Sequence, residues 1–165
     1  MHKADISTLI AYNFWANDRI LTACERLSAD EFSRKVTPNP GWNNLCGILI
    51  HALDAEYGWR SVLQKQDASE VLEARDFADV LKLRTRWDAE RAAWLDYEAG
   101  LDDEHLNKKT GNTNSLKVWQ TIVHVVNHGT QHRSEAATIL TGYGQSPGEL
   151  DFDTFLAEHP EHIHS

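Results

Sequence analysis

Basic residues are scarce in this chain, with 16 lysines and arginines against 25 aspartates and glutamates, a net charge of −9. A nucleic-acid binder needs a basic face to neutralise phosphates, so that class of partner is set aside. Cysteine is scarcer still. Cys24 and Cys46 fit no CxxC or zinc-finger spacing, and each sits in an apolar helical context where a small buried thiol is the expected role. A reducing, cytoplasmic compartment is the matching expectation. No apolar run approaches the roughly 18 residues of a membrane span. The opening MHKADISTLI lacks the basic and then long apolar pattern of a secretory signal. Strand-like alternation is nearly absent, and there is no internal repeat or low-complexity segment.

What remains is a chain of 165 residues with 41% hydrophobic content, enough for one globular domain over 1–165 with its own core. Periodicity and punctuation mark four long helices, at about 5–27, 43–63, 77–98 and 116–140. The first buries Leu9, Tyr12, Ile20, Ala23 and Leu27, and Ser28 to Glu31 reads as a capping box that opens a short turn. In the segment 35–41, KVTPNPG, Pro38 and Pro40 block a helix. Residues 65–75 read as a polar crossover, and 100–115 as a polar connection with a tight turn at 110–114. The third helix buries Val80, Leu83, Trp87, Ala93, Trp94 and Tyr97. Gly142 and Gly144 stop the fourth, Pro147 prevents its resumption, and a tail with Leu150, Phe152, Phe155 and Leu156 packs back as a short helix. Four amphipathic helices in one domain make an all-α four-helix bundle.

The main chemical signal is HVVNHGTQHR, in which His124, His128 and His132 recur every fourth residue. Four residues advance a helix by about 400°, so such side chains share a face and neighbours can hold one metal ion. Valine at 125 and glycine at 129 exclude HExxH, and with it the general base of a zincin protease. On a helical wheel His132 lies nearest the apolar arc of Val118, Ile122, Val126, Thr130 and Ala137, and His124 nearest the polar side of Gln120, Asn127 and Gln131. An interior metal is better served by His128 and His132, with His124 at the rim.

Bundle metal sites lie between facing helices, so the third ligand is expected from another helix. His2, His159, His162 and His164 fall in ends expected to be mobile, and His105 falls in a polar loop. That leaves His51 in the second helix. Gly47 and Gly58 lie near it, and a glycine inside a helix costs roughly 1 kcal/mol against alanine. Either a cavity above the ring or close packing of a neighbour accounts for them. Asp54, one turn on, is either an acceptor for a ligand histidine or a surface acid. Arg133 holds a carboxylate on another helix or on a thiol, or makes an ordinary ion pair. Asn127 either hydrogen-bonds at the site or is solvated. Trp59 is a candidate pocket wall, and the other tryptophans are core or interface anchors.

YNFWAN at 12–17, His51, HVVNHGTQHR at 124–133 and PGELDFDTFL at 147–156 together resemble the DinB/YfiT-like metalloenzyme family from end to end. The resemblance implies a bundle with a long crossover between the second and third helices, often dimeric. It also implies a divalent metal, zinc or nickel, on three histidines, which here match His51, His128 and His132. Three neutral imidazoles leave an open coordination position, as in a catalytic site. Relatives that resemble this fold and site act on low-molecular-weight thiols. The leading expectation is therefore a metal-dependent thiol S-transferase, whose partners are a small thiol and an electrophile. A metal-dependent hydrolase and a non-enzymatic, stress-related metal-binding protein are the alternatives.

Overall fold

The computed structural model describes residues 1–38, 41–77, 79–111 and 115–163. Pro40, most of the expected 110–114 turn and His164 lie outside them. Seven α-helices follow in order: α1 Lys3–Cys24, α2 Ala29–Ser33, α3 Leu45–Gln64, α4 Val80–Ala99, α5 Asp103–Leu106, α6 Val118–Gly142 and α7 Phe152–Glu158. Among the described residues there is no strand, only an isolated bridge between Lys109 and Lys117.

Side-chain pairs give the helix directions. The guanidinium of Arg84 reaches Asp18 and Glu25, while Lys3 Nζ reaches the Ala99 carbonyl at 3.3 Å, so α1 and α4 run antiparallel. Glu56 meets Trp87 and Arg60 meets Glu90, so α3 and α4 run parallel. Trp59 lies on His124 and His51 on His132, which makes α3 and α6 antiparallel. The four long helices thus run up, down, down, up. Two consecutive parallel helices require the chain to travel back along the bundle, about 30 Å for twenty residues. The long crossover is the direct consequence. It is tied down where Leu72 N–H donates to Asp54 Oδ1 at 3.4 Å and Cys46 Sγ donates to the Phe77 carbonyl at 3.5 Å.

One apolar cluster, with Ile20, Leu49, Leu53, Leu83, Ala136 and Leu140, fills one end of the bundle. A second, with Ile6, Ile10, Trp94, Leu106, Val118 and Ile122, fills the other. Polar residues occupy the middle. No helix among the described residues is long and apolar enough to cross a membrane.

The boundaries differ from expectation where caps outweigh apolar pattern. Asn44 caps α3 by accepting from the Gly47 N–H at 2.8 Å, so the helix starts at Leu45 rather than near residue 43. The polar connection after α4 contains α5, capped by Asp102 accepting from the His105 N–H. His105 is therefore helical rather than in a loop. Gly142 is still helical, and Gly144, at φ +73°, supplies the left-handed stop. The His159 and His162 rings both pack on buried Phe155, at 5.0 and 5.2 Å.

Candidate metal centre

His128 and His132 stand one turn apart on the face of α6 that meets α3, and His51 faces them from α3. The ring centroids are 4.5 Å apart for His128 and His132, 5.0 Å for His51 and His128, and 4.8 Å for His51 and His132. One ring nitrogen from each lies within 4.8 Å of the other two. His132 Nε2 and His128 Nε2 are 3.3 Å apart. That matches the edge of a tetrahedron with metal–nitrogen bonds of about 2.0–2.1 Å, roughly 3.3–3.4 Å.

The remaining nitrogens support the same reading. His132 Nδ1 lies 2.8 Å from Glu135 Oε2. A carboxylate only accepts, so Nδ1 carries a proton and the contact orients the ring with Nε2 toward His128. Burial, and then the neighbouring His132, His51 and His124 rings, push the His128 pKa down to about 4. His51 is lowered by burial and by His132, against the opposing pull of Asp54 and Glu135. At neutral pH the His51 and His128 rings are thus uncharged, the form that binds a metal. The three histidines fit a divalent ion.

Trp42 was hidden from sequence reasoning, since it lies in a turn-rich segment without periodicity. Its indole stacks on His51 at 3.7 Å and 14°. Gly47 makes this possible, because a Cβ there would sit 2.2 Å from the Trp42 carbonyl oxygen. Close packing therefore accounts for Gly47, whereas a Cβ on Gly58 would meet nothing within 4 Å. Alanine in place of a mid-helix glycine ordinarily stabilises by up to about 1 kcal/mol. Gly47→Ala is expected to do the reverse, costing about 1–3 kcal/mol in urea unfolding as the loop is pushed off the helix. A stabilised variant would mean that Trp42 is not seated as described.

The other candidates fall elsewhere. His124 is exposed, edge-on to Trp59 at 5.1 Å and 5.9 Å from His128, outside the trio. Trp59 thus pairs with the rim histidine. Asn127 is exposed, and Asp54 holds the crossover. Thr130, expected on the apolar arc, is exposed. Glu135 was missed, although its position three residues after His132 was a usable signal. Cys24 and Cys46 are free and buried, and burial lifts their thiols to about 12 and about 11.

Arg133 turns away from the histidines into the bundle centre, where it is 3% exposed and so unavailable to a thiol. Its Nη1 donates to Asn13 Oδ1 at 2.6 Å and to Asn17 Oδ1 at 2.8 Å. The same two amides donate onward to Glu56 Oε1, at 2.6 and 2.8 Å, and Trp87 Nε1 donates to Glu56 Oε2 at 2.8 Å. A donor-only arginine and an acceptor-only carboxylate fix which way both amides point. Gly129 leaves room for this, since a Cβ there would lie 2.6 Å from Arg133 Nη1. YNFWAN therefore supplies the centre of a charge network spanning α1, α3, α4 and α6.

Comparison with known proteins agrees with this architecture. A crystal structure of a conserved protein from Enterococcus faecalis superposes with a TM-score of 0.64, covering 80% of this chain and 92% of the other at 14% identity, a likeness of fold. Protein DinB of Bacillus subtilis (strain 168) is 22% identical over 159 residues, covering 90% of this chain and 91% of that protein. The DinB family model matches residues 1–162, and the chain belongs to the DinB family.

Proposed function

We propose that His51, His128 and His132 hold one divalent ion, zinc or nickel, and that the protein is a metal-dependent thiol S-transferase acting on a small thiol and an electrophile. The observation that carries this reading is the convergence of three ring nitrogens with, among the described residues, no fourth ligand atom in the group. A divalent ion on such a donor set supplies Lewis acidity, lowering the pKa of a thiol or of water brought to its open position.

The chain's own groups favour the thiol. Cys24 and Cys46 are buried with raised pKa values, so a sulfur nucleophile must come from outside. Hydrolysis is better served by a free general base near the ion. Two carboxylates act on His51, and both are engaged: Glu135 with His132 Nδ1 and Asp54 with the Leu72 N–H. Trp42 covers one face of His51 and limits water there.

Metal-loaded protein is expected to speed displacement of chloride from an activated chlorinated aromatic by a small thiol, releasing chloride and a proton, below about pH 7.5, where free thiol, with a pKa of about 8.5, is poor in thiolate. His128→Ala should lose that acceleration while remaining folded. Ester or amide turnover that thiol inhibits would replace the proposal with hydrolysis. No turnover with any common thiol would favour the non-enzymatic metal-binding reading.

A further inference from the structure

Beyond His132, α6 continues with Glu135, Thr138, Ile139 and Gly142 along one face and Tyr143 as its C-cap, a run of about 12 Å at 1.5 Å per residue. This face is the floor of a groove of about 510 Å³, walled by Lys35, Val36 and Pro38 of the α2–α3 connection. Its volume lies in the usual range for small-molecule sites, about 300–1,000 Å³. Two features join it to the metal centre. The Glu135 carboxylate that lines it is the one on His132 Nδ1, at 2.8 Å. The connection that walls it also carries Trp42, and the Val36 N–H donates to the Asn43 carbonyl at 2.9 Å across that loop.

The groove is charged unevenly. Glu135 sets a negative charge at the histidine end. At the other end the Arg34 guanidinium lies 5.8 Å from the centre of the Tyr143 ring and is already paired with Asp30. Its neighbour Lys35 is exposed and, among the described residues, has neither an ion pair nor a hydrogen bond. Between the two ends the walls are Val36, Pro38 and Ile139.

We propose that this groove binds a small organic carboxylate with an apolar body, its acid group on Lys35 and its far end at Glu135, beside His132. The inference rests on the metal reading for what happens at that far end. Size supports it, since an extended eight-carbon acid is roughly 10 Å long at about 1.5 Å per bond. The acid is carried either by the thiol or by the electrophile.

Calorimetric titration of metal-loaded protein with octanoate, octanol, ω-mercaptooctanoate and ω-mercaptooctanol tests the proposal, with metal stoichiometry measured on every preparation. Each acid should bind about 1.5- to fivefold tighter than its alcohol, the range for one exposed ion pair. Lys35→Glu should erase that preference, and Thr138→Trp, which fills the groove from an exposed position, should weaken both acids. If ω-mercaptooctanoate outbinds octanoate, the thiol carries the acid; if they bind equally, the electrophile does. Acids and alcohols binding alike, or an acid preference surviving Lys35→Glu, would overturn the groove and leave the metal reading standing. Acid preference in protein that takes up no zinc or nickel would overturn the metal reading and leave the groove.

Discussion

Replacing His132 by alanine should abolish stoichiometric uptake of zinc or nickel. Its Nε2 stands 3.3 Å from His128 Nε2, and its Nδ1 is held by Glu135, so the substitution removes the one ligand that a carboxylate orients and leaves Glu135 without its partner. His128→Ala should do the same. Removal of a carboxylate behind a ligand usually costs about 10–100-fold in metal affinity, which is the loss expected for Glu135→Ala and a floor for the histidines. His124→Ala should leave most binding, because that ring is exposed and outside the trio. Equilibrium dialysis with metal analysis, on protein never passed over a nickel column, reads these outcomes. Full metal retention in a His51/His128 double alanine variant would sink the assignment. The bundle has apolar clusters at both ends, so metal-free protein should stay folded. A ligand at a thousandfold over Kd adds about 4 kcal/mol, worth roughly 8–16 °C in Tm for a chain of this size. Chelator-treated protein that unfolds outright would make the metal structural instead.

Much of this site was legible because it is local or nearly so. The repeat of His128 and His132 fixes a shared face by helix geometry alone, and His51 stands out as the other histidine on a long helix. The four long helices were legible for the same reason, since each declares its buried stripe within its own sequence. Less could be read wherever the cause lies on a different element. Trp42 is in a segment with no periodicity, and only the close seat of its carbonyl on Gly47 brings it over His51. Arg133 follows a ligand directly, which pointed to the site, yet 100° of helical rotation turns it from α3 toward Asn13 and Asn17 of α1. Asn13 and Asn17 entered only as letters of YNFWAN, and Glu56 carries no spacing signal of its own. They form a sensible set only when three helices place them around one guanidinium.

That set makes the second large prediction. Glu56 and Arg133 are 2% and 3% exposed at the bundle centre, and burial opposes charge on both, pushing the carboxyl pKa up and the guanidinium pKa down. Three N–H donors on Glu56, together with the attraction of Arg133, offset that cost. Glu56→Ala is expected to destabilise the fold by about 3–5 kcal/mol, because it strands a buried cation and unpairs two amides and an indole. Against a total of about 5–15 kcal/mol, that brings the domain near its unfolding threshold. Arg133→Ala should cost a similar amount for the converse reason. The double variant Glu56→Leu with Arg133→Met should recover part of the loss, because neither charge is then stranded, while the Asn13 and Asn17 amides and the Trp87 indole stay unpaired. Urea unfolding of the single and double variants gives the coupling directly. Single variants costing less than about 1 kcal/mol, or strictly additive losses, would show that the network is not the stabilising pair described. The double variant also separates stability from function. His128 and His132 flank Gly129, over which Arg133 passes. If the network holds α6 in register for the histidines, the folded double variant should bind metal more weakly even though it is more stable than either single variant.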